Sequence, residues 1–236
     1  MSPALPPAPL VLLPGHMCDA RLFAPLVEAL PDRVCLVGDL TADDNVAAMA
    51  RRVLASAPQR FALLGLSMGG IVAFEILRQA PERVARLALL DTNPIPESED
   101  RSGARLELMR VVAAGGLKSV VTEQLKPAYL ARGSREDQAL LGLIVAMALD
   151  LGPAVFARQA RALLERPDSR ATLGRIRVPT LVLCGREDTL CPVSLHESMA
   201  AAIPRARLVV VDAAGHLPTL ERPDAVHTAV RRWLDS

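Results

Sequence analysis

Apolar residues along this chain fall into short runs separated by longer stretches with helical spacing. The runs at 10–13, 33–37, 61–66, 84–90, 180–184 and 208–211 each predict a buried strand. The stretches at 20–30, 43–57, 68–79, 192–203 and 223–234 predict helices. Asp19 is placed to cap the first of them. The second opens acidic and carries Arg51-Arg52 late, as a helix dipole prefers. Short apolar strands alternating with long helices mean βαβ units. Parallel strands need such crossovers, and the helices then cover both faces of the sheet. The expected fold class is therefore α/β, a doubly wound, mainly parallel sheet.

The rhythm breaks after Asp91. Residues 92–100 form a polar, proline-containing linker. Beyond it the pattern predicts helices only, at about 101–114, 117–126, 135–149 and 152–165. Gly115-Gly116, Gly133-Ser134 and Gly152-Pro153 punctuate them. The chain thus divides into a core, 1–93 and 171–236, and a helical cap, 94–170, inserted after the fourth strand and laid over one end of the sheet. Leu140, Leu141, Ile144, Val145 and Met147 make one cap helix strongly apolar. That face either packs on the body or walls an apolar substrate pocket, for which Met17, Leu141, Ile144, Met147 and Leu217 are the candidates. Residues 1–8, with Pro3, Pro6 and Pro7, read as a loose lead-in.

Composition narrows the field. The 236 residues suit one domain with an insertion, and 51% hydrophobic content can bury a large core. A net charge of +1 gives no electrostatic case for nucleic acid or an anionic membrane, and 3% aromatics offers no base-stacking platform. The four cysteines, Cys18, Cys35, Cys184 and Cys191, form no C-x-x-C pair and no zinc-ligand spacing, so no metal is expected. Cys35 and Cys184 read as small core residues. The apolar run at 10–13 is too short for a signal sequence or a membrane span, so a soluble, cytoplasmic protein is expected, as a monomer or homodimer.

The chemistry concentrates at Gly65-Leu66-Ser67-Met68-Gly69-Gly70, between a strand and a helix. A serine on such a turn presents its hydroxyl, and glycines two before and two after keep Cβ atoms out of the crowded bend. The following helix aims its N-terminus at the serine, where an oxyanion would form. A phosphate-binding loop would need a lysine, and the only two are Lys118 and Lys126. A serine nucleophile needs a base, and the base needs an acid. Of the four histidines, His216 lies in a loop after a strand and His16 in the loop after the first strand; His196 and His227 read as surface residues of helices. Asp188 follows another strand, and either caps the next helix or serves as the acid. Asp91, also at a strand end, is the runner-up. Asp212 is too close in sequence to His216 and more plausibly fixes the turn.

Taken together, Gly65 to Gly70, Leu183-Cys184-Gly185-Arg186-Glu187-Asp188 and Ala214-Gly215-His216 resemble the α/β-hydrolase superfamily across almost the whole chain. The resemblance implies an eight-stranded sheet, of which this chain lacks the first two strands, leaving about six. It implies a catalytic Ser67-His216-Asp188 triad and an oxyanion hole of two backbone N–H groups. One carries over to Met68. The other carries over to His16, by the similarity of Leu12-Leu13-Pro14-Gly15-His16 to the family's His-Gly loop, with proline where histidine is usual. The implied activity is cofactor-free hydrolysis of small or medium apolar carboxylic esters through an acyl-enzyme. A lactonase and a lyase similar to the menaquinone-pathway synthase use the same residues, and a non-catalytic small-molecule receptor is the reading of another class. The expected partner is a small ester or lactone, with no nucleic acid and no membrane.

Overall fold

In the computed structural model, residues 8–236 are described, so the proline-rich lead-in falls almost wholly outside them. Six strands form: β1 (Leu10–Leu13), β2 (Cys35–Val37), β3 (Phe61–Leu66), β4 (Val84–Leu90), β5 (Thr180–Gly185) and β6 (Ala206–Val211). All pair in parallel, in the order β2-β1-β3-β4-β5-β6. The longer helices are α1 (Ala24–Glu28), α2 (Val46–Ser56), α3 (Met68–Gln79), α4 (Glu99–Ala113), α5 (Gln138–Leu164), α6 (Val193–Ala202) and α7 (Pro223–Leu234). Shorter helical segments lie between them, among them Leu117–Ser119, Val120–Leu125 and Lys126–Tyr129, where a helix was expected at 117–126. The expected first helix is tighter than its pattern suggested: Ala20–Phe23 is a 3-10 turn, whose N–H at Arg21 is capped by Asp19.

Strand residues alternate between two cores, as the two-residue period requires. Leu10, Leu12, Leu64, Leu66, Leu90 and Leu183 face the layer holding Leu26 of α1 and Val230 and Trp233 of α7. Val11, Leu13, Leu63, Leu87, Leu89 and Val182 face α2, α3 and α6. β3 and β5 are buried at every position because helices cover both sides. Each such leucine or valine contributes roughly 1.5–3 kcal/mol by leaving water. Cys35, expected in the core, is only partly buried, because β2 is a three-residue edge strand.

The helical region between β4 and β5 has a small core of its own. Val112, Leu117, Val120, Val121, Ala148, Val155 and Phe156 meet there, and Met17 reaches in from the loop after β1. The two helices expected at 135–149 and 152–165 are both present within α5, which breaks at Gly152, where φ is 77° and ψ is 174°. Pro153 removes a backbone donor at the bend and Gly152 takes the left-handed turn. By length and apolar composition α5 could cross a membrane. Here Ile144, Met147, Phe156 and Gln159 pack it onto the body and the cap. A buried ion cluster ties the region down: Arg105 and Arg166 both reach Glu97 Oε2, at 2.7 and 3.0 Å. Ionised groups held this far from water need such mutual pairing.

The sheet order changes direction between β1 and β3, so the loops after these two strands part and leave a crevice at the carboxyl edge. Gly69 lets the elements close on that crevice, since a Cβ there would run into the carbonyl of Leu13. Gly69→Ala is expected to lower unfolding stability by about 3 kcal/mol through overpacking against backbone, measured as a fall in the urea midpoint.

Candidate active site

β3 delivers Ser67 into the crevice on a strained backbone, φ 54° and ψ −114°. Such a conformation costs on the order of 1–3 kcal/mol and needs outside support. The support is visible. Ser67 N–H donates to Leu90 O at 2.9 Å, and the Ser67 carbonyl accepts from Thr92 Oγ1 at 2.7 Å. Gly65 is required as well, because a Cβ there would overlap the Gly69 carbonyl across the turn.

His216 lies in the loop after β6, buried to 4% exposure. Its Nε2 stands 2.8 Å from Ser67 Oγ, and its Nδ1 stands 2.8 Å from Asp188 Oδ2. A carboxylate only accepts, so Nδ1 carries the proton and Nε2 presents a lone pair to the serine O–H. The loop is fixed from outside the body. His216 N–H donates to Tyr129 O at 2.7 Å. Gly215 N–H donates to Glu221 Oε1 at 2.8 Å, while Glu221 Oε2 accepts from Ala131 N–H at 2.8 Å.

Asp188 faces His216 and also accepts from Leu190 N–H at 2.8 Å and Cys191 N–H at 3.0 Å. Those N–H groups precede α6, whose N-cap is Pro192, so Asp188 shapes its own loop rather than capping the helix. Burial pushes its carboxyl up. The His216 imidazole, its hydrogen bond and the two backbone donors outweigh burial and hold the group below the ordinary carboxylate value.

Asp91 is fully buried at the end of β4. Its Oδ1 accepts from Gly185 N–H at 2.9 Å, while Oδ2 has no partner among the described residues. Burial and then the charge of Asp188 raise its pKa well above the ordinary value. Asp91 therefore holds a proton more tightly than an ordinary carboxyl, while the carboxylate that meets His216 belongs to Asp188.

His196, expected on the surface, is completely buried. Its Nε2 accepts from Thr92 N–H at 3.2 Å and its Nδ1–H donates to Pro192 O at 3.2 Å, so it joins α6 to the strand end that supports Ser67. His227 is half-buried, on α7.

The N–H groups of His16 and Met68 donate to no acceptor among the described residues. Gly15 presses this loop against the nucleophile turn, since a Cβ on it would sit 3.4 Å from Ser67 Cβ. Met17, with φ 56°, is held by a residue that nothing local in the sequence marks. Gln159 of α5 accepts its N–H at 2.8 Å and donates to Leu40 O at 3.2 Å.

A cavity of about 10 Å³ adjoins Ser67, lined by Gly15, Cys18, Tyr129, His16, His216 and Leu217 among others. It has room for about one water molecule. Of the five candidate pocket residues, Leu217 alone lines it. Leu141, Ile144 and Met147 are packed in the interior core, and Met17 is packed in the core of the cap. Asp188, Cys191 and His216 lie close enough together to suggest a metal site. Their chemistry does not fit one: the Asp188 oxygens are engaged as above, and burial drives the Cys191 thiol up to about 12, away from the thiolate a metal needs.

Residues 10–229 match the model of the alpha/beta hydrolase family, and the chain belongs to that family. It is an enzyme of the hydrolase type. Among its relatives is a pimeloyl-(acyl-carrier protein) methyl ester esterase of Aliivibrio salmonicida, 28% identical over 95% of this chain and 91% of that protein. A thermophilic esterase from Thermogutta terrifontis superposes with a TM-score of 0.88 at 32% identity, over 97% of this chain and 89% of its own. The enol-lactonase of Burkholderia xenovorans superposes with a TM-score of 0.85 over 97% of this chain and 92% of its own; at 22% identity it speaks for the fold alone.

Proposed function

We propose that the protein hydrolyses carboxylic esters by two-step acyl transfer, with Ser67 as nucleophile, His216 as base and acid, and Asp188 as the charged partner of His216. The observation that carries this reading is the unbroken chain of contacts from Ser67 Oγ through His216 to Asp188, each 2.8 Å long. The likeness to two esterases, one of them 32% identical, supports the choice of ester.

Ser67 Oγ attacks the ester carbonyl carbon as its proton passes to His216 Nε2. The charge that develops on the imidazole is balanced by Asp188, and the negative charge on the former carbonyl oxygen falls to the N–H groups of His16 and Met68. Each such donor contributes on the order of 10²–10³-fold. The tetrahedral adduct collapses, His216 gives its proton to the departing alkoxide, and an acyl-Ser67 ester remains. A water molecule, deprotonated by His216, then attacks the acyl carbon and releases the acid. With space for about one water beside Ser67, entry of an acyl chain requires the cap to yield.

A panel of p-nitrophenyl esters of increasing chain length, run beside aliphatic lactones, tests this reading. Turnover of the esters with kcat/KM above that of the lactones is expected. Lactone turnover without ester turnover would reassign the substrate, and turnover of neither would remove the hydrolytic reading.

A further inference from the structure

We propose that the His16 side chain selects esters that carry a neutral hydroxyl close to the scissile carbonyl, in preference to plain alkyl esters. This rests on the acyl-transfer reading above and departs from the sequence expectation of an apolar acyl group.

Both nitrogens of His216 are engaged, one by Ser67 and one by Asp188. The second imidazole lining the cavity is not so engaged. His16 is 7% exposed, and its Nε2 is buried with no hydrogen-bond partner among the described residues. A buried imidazole nitrogen left without a partner is costly, and in a native protein it requires an explanation. The Cys18 thiol does not supply one, since its contact is with the His16 carbonyl. What covers the ring is Phe156 of the cap, edge to face with centroids 5.0 Å apart. A cap that yields to admit an acyl chain shifts Phe156 and uncovers His16 beside Ser67.

The chemistry of the partner follows from charge. Burial, reinforced by Arg105, takes the His16 pKa down to about 3, so the ring is neutral at working pH. Arg105 is itself committed to Glu97 at 2.7 Å. A carboxylate would therefore meet neither a charged imidazole nor a spare guanidinium. A hydroxyl both donates and accepts, and so satisfies either tautomer of a neutral ring. Because the His16 backbone borders the carbonyl oxygen in the proposed mechanism, its own side chain reaches only groups near that carbonyl.

The test compares p-nitrophenyl butyrate, 3-hydroxybutyrate and succinate as substrates of the wild type, His16→Phe and Ser67→Ala. The wild type is expected to favour 3-hydroxybutyrate over butyrate by about tenfold or more in kcat/KM, the effect of one buried hydrogen bond. In His16→Phe that ratio is expected to fall to within about twofold of unity, since the ring remains and its nitrogen is gone. Equal rates for butyrate and 3-hydroxybutyrate in the wild type would overturn the proposal, and this comparison needs no variant to fold. A preference that survives His16→Phe, or a preference for succinate, would overturn it as well. If the wild type turns over no ester faster than Ser67→Ala does, the acyl-transfer reading fails and this proposal falls with it. Ester turnover without a hydroxyl preference sinks the proposal alone.

Discussion

Ser67→Ala is expected to lower kcat/KM for a p-nitrophenyl ester on the order of 10⁴-fold or more while leaving the fold intact. The size follows from what is lost. No other hydroxyl lies 2.8 Å from His216 Nε2 among the described residues, so the base would have only water to activate. The residual rate would come from the oxyanion donors and binding alone. The fold should survive because the strained φ of 54° is held through backbone contacts to Leu90 and Thr92, which alanine keeps. Circular dichroism and the urea midpoint of the variant would check this. A variant that folds and retains more than about a tenth of the activity would show that another group performs the attack.

The second large effect separates two aspartates. Asp188→Asn is expected to cost about 10³–10⁴-fold in kcat, because an amide can donate to Nδ1 and so favours the wrong imidazole tautomer and leaves the imidazolium uncompensated. Asp91→Asn should stay within about threefold of wild type, since the carboxylate that meets His216 is that of Asp188 and the raised pKa of Asp91 favours a neutral form that an amide imitates. Its amide oxygen can still accept from Gly185 N–H. Steady-state kinetics on both variants decide between them. A large loss in Asp91→Asn with a small one in Asp188→Asn would reverse the assignment and place the working charge at the end of β4.

Much of this was readable from residue order. Strands and helices were legible because burial on a sheet imposes a period of two, or an unbroken apolar run, and burial on a helix a period of 3.6. The turn around Ser67 was legible because Gly65 and Gly69 are demanded by contacts within a few residues or across one strand pair. His196 was misread because its helix carries no strong apolar stripe, and its partner Thr92 lies far away in sequence. The cavity lining was legible at Ser67, His16, His216 and Leu217, but not at Tyr129, which comes from a distant part of the chain. Tyr129, Glu221 and Gln159 act through contacts between cap and body, spanning up to 142 residues, and no local pattern signals them. Apolar residues on α5 fit a packed face and a pocket wall equally well, because a packed interior demands the same side chains.

Reaction of the protein with a fluorophosphonate, followed by intact mass and peptide mapping, tests the acyl-transfer reading most directly. One adduct per chain, on the peptide holding Ser67 and absent from His216→Ala under the same conditions, is the result expected of a hydroxyl activated by its imidazole neighbour. No adduct on the folded wild-type protein, or an adduct on some other residue, would contradict it.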